Sequence, residues 1–110
     1  MIEETISMIE KRITEGDAVK DTNMEELVKL LDTLKKEVAE LSKTHAEQAE
    51  SIAGFTKVST HEATRQEQNP ELLKISVKGL TSSVEGFEGS HPDLVEIVNR
   101  ISVMLSNMGI

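Results

Sequence analysis

The sequence predicts an all-α protein: a small helical bundle with one long heptad-patterned, coiled-coil-like helix and a C-terminal helical hairpin. Three observations predict it. Apolar residues recur at alternating spacings of four and three along most of the 110 residues. Helix start signals, Asn23, Asn69-Pro70 and Ser90-His91-Pro92, precede three of these stretches. Residues 55–60 carry some β-branched side chains, but no second segment offers them a strand partner.

In chain order, Ile2, Ile6, Ile9 and Ile13 form one helical stripe. Gly16-Asp17 ends it, so residues 1–22 read as a short N-terminal helix and turn. Asn23 is a strong N-cap, and Glu26 can reach back to it as in a capping box. Leu27, Leu31, Leu34, Val38 and Leu41 follow in heptad register, which continues through His45, Gln48, Ile52 and Phe55 with more polar residues. A helical domain is therefore expected over 23–110, its long helix covering 23–53, with continuation to 68 left open. A helix from 23 to 68 would run roughly 69 Å at 1.5 Å per residue, about twice the width of a small domain. Gly54 and the Thr- and Ser-rich residues after it predict a break, bend or weakened helix across 54–60.

Asn69-Pro70 starts a helix expected over 70–87, striped by Leu73, Val77, Leu80, Val84 and Phe87. Ser90 with Asp93 matches a second capping box, and Pro92 opens a helix expected over 92–108. Its wide arc, Leu94, Ile97, Val98, Ile101, Met104, Leu105 and Met108, predicts packing on more than one neighbour.

Composition narrows the function classes. With no cysteine, disulfide scaffolds, thiolate metal sites and thiol nucleophiles are excluded. A net charge of -8 and only two aromatic residues argue against nucleic-acid partners. Lys29, Lys35, Lys36 and Lys43 could form a local basic stripe, which nearby acids largely cancel. No run approaches the ~20 apolar residues of a membrane-spanning helix. The N-terminus lacks the basic start and apolar core of a signal peptide, so no membrane insertion and a cytoplasmic location are expected.

The strings Ser51-Ile52-Ala53-Gly54-Phe55, His61-Glu62-Ala63-Thr64-Arg65, Phe87-Glu88-Gly89-Ser90-His91-Pro92 and Leu105-Ser106-Asn107-Met108-Gly109-Ile110 resemble a short bacterial family, DUF4404, a domain of unknown function. The resemblance covers roughly residues 26–110 and leaves residues 1–22 outside the pattern. It implies a small helical protein in a bacterial cytoplasm and brings no activity, substrate, cofactor or catalytic residue.

The histidines are the candidates for neutral-pH chemistry. His45 falls on the heptad seam, where it reads as a polar, register-setting position or as a ligand or switch across a helix interface. His61, Glu62 and Arg65 form His-Glu-x-x-Arg, which lacks the second histidine of the zinc motif His-Glu-x-x-His. Arg65 still offers a forked donor to a carboxylate or phosphate; the plain alternative is a solvated face with local ion pairs. His91 opens a helix that can hold an anion, or it forms a structural corner. No nucleophile elbow, Gly-rich phosphate loop or calcium loop is present, so no enzyme, catalytic residue, metal or cofactor is expected.

The leading expectation is a non-enzymatic interaction protein. It would form a homo-oligomer, most simply a dimer, or bind another helical protein through Leu27, Leu31, Leu34, Val38, Leu41 and His45 in the heptad face of 24–52. The alternative is an anion-binding or regulatory module using His61, Glu62, Arg65 and His91 beside a 54–65 bend.

Overall fold

The structure, a computed structural model, describes residues 22–108, and of residues 22–24 only the backbone. The expected helix over residues 2–13 lies outside the described residues. Four helices make up the remainder: α1 (Thr22–Ser42), α2 (Ala46–Thr64), α3 (Pro70–Ser83) and α4 (Pro92–Met108). Asn23 falls inside α1 rather than ahead of it.

The seam of α1 faces inward. Leu27, Leu31, Leu34, Val38 and Leu41 are fully buried, and Leu30 nearly so. They share one core with Ala49, Ile52 and Ala63 of α2, Leu73 and Leu80 of α3, and Leu94, Val98, Ile101 and Leu105 of α4. Both α1 and α3 pack against α2 and α4, and α1 and α3 sit across the diagonal. Short connections make consecutive helices antiparallel neighbours, so the described residues form a four-helix bundle.

The long helix of 23–53 is corrected. It ends at Ser42, and the chain turns at Lys43-Thr44-His45. The amides of Lys43 and Thr44 bond carbonyls three residues back, Glu40 and Leu41, which tightens the last turn. Ser42 and Thr44 hydroxyls donate to the Ala39 and Leu41 carbonyls, competing with the helix ladder. Beyond Leu41 the seam positions become His45 and Gln48, both exposed, so burial no longer supports a straight continuation. The longest principal extent is accordingly 37 Å.

The expected break at 54–60 is also corrected, because α2 runs unbroken through Gly54. Its inner face is built from small residues: Ala49, Ala53, Thr56, Ser59, Thr60 and Ala63 are buried around Ile52. Thr56 and Ser59 donate to the Ile52 and Phe55 carbonyls at 2.7 Å. These back-bonds satisfy the Thr56 and Ser59 hydroxyls inside the helix, whereas the buried Thr60 hydroxyl has no partner. Burial then outweighs weak intrinsic propensity.

Asn69 caps α3, its side chain accepting from the Glu71 and Leu72 amides at 3.1 and 3.3 Å, with Pro70 in the first turn. The helix expected over 70–87 stops at Ser83. Ser83 donates to the Leu80 carbonyl at 2.6 Å, and Gly86 adopts φ +95°, where only glycine is unstrained. Val84 is still buried, and half-buried Phe87 still packs on the core. At the start of α4, Ser90 Oγ lies 2.9 Å from His91 Nδ1 instead of capping the Asp93 amide.

Candidate functional site

The residues singled out in the sequence are divided between opposite ends of the bundle. At one end, His45 and His91 meet around Phe87. Ring centroids are 5.4 Å apart for His45–Phe87, 5.5 Å for Phe87–His91 and 6.3 Å for the two histidines, all edge-on. Each histidine has its Nδ1 against the hydroxyl of the preceding residue, Thr44 at 2.8 Å and Ser90 at 2.9 Å. The α1–α2 turn and the α3–α4 connection supply these side chains, so the cluster pins two loops together. It corrects the expected role of His45 as a seam residue. His45 is exposed at the N-terminus of α2 and packs on a loop.

At the other end of α2, Arg65 Nη1 lies 2.9 Å from Glu62 Oε1, and His61 Nε2 lies 4.0 Å from Glu62 Oε2. Glu62 is buried and Arg65 half-exposed. The guanidinium therefore compensates a carboxylate that burial would otherwise leave unpaired. An incoming anion would meet Glu62 as well as Arg65. Gln68 completes this end by donating to the Ala63 carbonyl and, at 3.2 Å, to the Met108 carbonyl at the end of α4.

The composite anion site is thus not assembled. His91 belongs with the N-terminal end of α2 and Arg65 with its C-terminal end, separated by a 19-residue helix of about 28 Å. The bend at 54–65 that was to hold the ligand is regular helix up to Thr64. The lysines on and after α1 are partly neutralised: Lys35 and Lys36 lie 3.5 Å from Asp32, and Lys43 lies 3.0 Å from Glu40.

The seam expected to be an oligomer interface is the core of the chain itself. Leu27, Leu31, Leu34, Val38 and Leu41 expose no surface to a second molecule. The period of four and three is the same whether a helix packs on its own bundle or on another chain.

Sequence reasoning missed the apolar side chains that do reach solvent. Phe55 is 40% exposed, Val58 47%, Leu72 43% and Ile75 64%. These four lie on one outer face of α2 and α3, whereas Val103 of α4, 60% exposed, lines the cleft between α1 and α4. The Phe55 ring sits directly on Gly79, where an added Cβ would overlap it. Antiparallel packing from that contact brings Val58, one turn along α2, beside Ile75, one turn back along α3, with Leu72 next. A signal was present: Leu72 and Ile75 are out of phase with the Leu73–Val84 stripe and, with Gly79, form a second one. A different cleft of about 710 Å³ lies between α1 and α4, floored by Leu30, Val95 and Met104 and edged by Glu26, Glu96 and Arg100. No histidine lines it.

Among the described residues no helix is long and apolar enough to cross a membrane. The described residues define the class: a small helical bundle of four helices built around the leucine-rich α1. Residues 27–110 match the family model for a domain of unknown function, DUF4404, and the chain belongs to that family. No curated protein and no solved structure matches it.

Proposed function

We propose that this chain is a non-enzymatic helical interaction protein that self-associates, and that the outer face of α2 and α3 takes the role first expected of the heptad seam. The observation that carries this reading is the inversion of burial. Five seam residues of α1 are fully buried, while Phe55, Val58, Leu72 and Ile75 remain in solvent on one face. Contiguous exposed apolar side chains on a small domain mark an association surface. Charge favours the same face. Two copies of net charge -8 repel each other over most of their surface. The outer side of α3 carries Lys74 and Lys78 beside Glu71, so it lacks the net acidity of the rest of the chain.

The anion-module alternative draws less support, because Arg65 is engaged by Glu62 and His91 is a helix length away. The test is the mass of the full chain in solution, by sedimentation equilibrium, with Ile75→Glu alongside. A dimer that becomes a monomer of unchanged helical content in the variant supports the proposal. A wild-type chain that stays monomeric at high concentration refutes it.

A further inference from the structure

We infer that two copies meet through α3 against α3, antiparallel, with the two helices crossing at Ile75. This rests on the self-association proposed above and adds its geometry. Ile75 is the most exposed of the exposed large apolar side chains on the described helices. In a two-fold interface the residue on the axis meets its own copy, which suits an exposed apolar side chain and not a charged one.

Glu71 lies four residues before Ile75, and Lys78 three residues after it. Both therefore share the face of α3 that Ile75 occupies. An antiparallel crossing at Ile75 brings Glu71 of one copy against Lys78 of the other, and the two-fold axis repeats the pair. A parallel crossing would set Glu71 against Glu71 and Lys78 against Lys78. Like charges placed together across an interface are strongly unfavourable, so the Glu71–Lys78 pair favours the antiparallel arrangement.

The intrachain pairing leaves these two residues available. Asp32, Glu40, Glu62 and Glu96 each hold a basic partner within the chain. Glu71 and Lys78 form no ion pair among the described residues, although both are exposed on regular helix. The apolar flanks fit as well. The Phe55 ring, seated on Gly79, extends the apolar surface beside the crossing. Four apolar side chains per copy make a modest interface, at or below the ~1,200 Å² lower end of stable complexes, so the dimer dissociates on dilution.

The experiment is sedimentation equilibrium of the full chain over a concentration series for wild type, Glu71→Lys, Lys78→Glu, the double exchange and Ile75→Glu. Helical content is recorded for each by circular dichroism. All three positions are exposed, so the variants are expected to keep wild-type helicity. The expected result is a wild-type dimer. Each single charge reversal raises its dissociation constant by about tenfold or more. The double exchange, which restores opposite charges, recovers most of that loss.

If wild type dimerises and the double exchange is as weak as the single reversals, or neither reversal has an effect, the antiparallel register is wrong while self-association stands. If Ile75→Glu leaves the dimer intact, α3 is not at the interface. If wild type is monomeric throughout, both proposals fall.

Discussion

Replacing Gly54 by alanine should stabilise the protein, although the sequence marks Gly54 as a helix break. In the structure Gly54 is an exposed position in the middle of α2, eight residues after its start and ten before its end. A Cβ added there would meet nothing within 4 Å. The only change is therefore the backbone preference of the residue, worth about 0.8–1 kcal/mol for alanine over glycine in a helix interior. For a domain of this size that corresponds to a rise in Tm of about 4–8 °C. Gly79→Ala supplies the contrast. It gains the same helix preference, but its Cβ would displace the Phe55 ring, so the net benefit shrinks or reverses. The assay is thermal and urea unfolding followed by circular dichroism, with wild type and both variants measured together. A Gly54→Ala protein that is less stable than wild type, or less stable than Gly79→Ala, would refute a continuous α2.

Other positions give equally direct expectations. Leu34→Ala, at a fully buried site, should lower stability by about 3–4 kcal/mol in urea unfolding without changing the fold. Gly86→Ala places a Cβ at φ +95°, and should lose about 1–2 kcal/mol by the same measurement. Thr60→Val removes a buried hydroxyl that has no hydrogen-bond partner, so it should gain on the order of 1 kcal/mol, read as a shift in the urea midpoint at unchanged slope.

Local chemistry that acts within a few residues was legible in the sequence. Asn69-Pro70 caps α3 as its residue types require, and Pro92 opens α4, which runs to Met108. The leucine stripe of α1 was legible as a buried surface, though not as one buried within its own chain. A heptad period records that one face is apolar and carries no information about which chain supplies the opposing face.

The turn at Lys43-Thr44-His45 was obscured because Gly54 is the stronger local break signal. The outcome was decided by tertiary burial, which rewards helix around Ala53 and Thr56 and withdraws support at His45 and Gln48. The inner face of α2 escaped notice for the same reason, since buried Ala, Ser and Thr leave almost no hydrophobic period. His91 and Arg65 could not be assigned to opposite ends before the number of turns in the chain was known. The outer face of α2 and α3 was hidden because Phe55 fits the continued heptad and so reads as core, whereas it lies over Gly79 and faces solvent.

The measurement that bears most directly on the account is the helicity of the Leu31→Ala, Leu34→Ala, Val38→Ala triple variant at low and high protein concentration. All three residues are fully buried in the bundle. Their truncation together removes on the order of 8–10 kcal/mol, comparable with the whole stability of a small domain. If the seam is the core of the single chain, the variant is largely unfolded at both concentrations. A variant that keeps its helicity and loses only its mass would contradict the account, and would return the seam to an interface between chains.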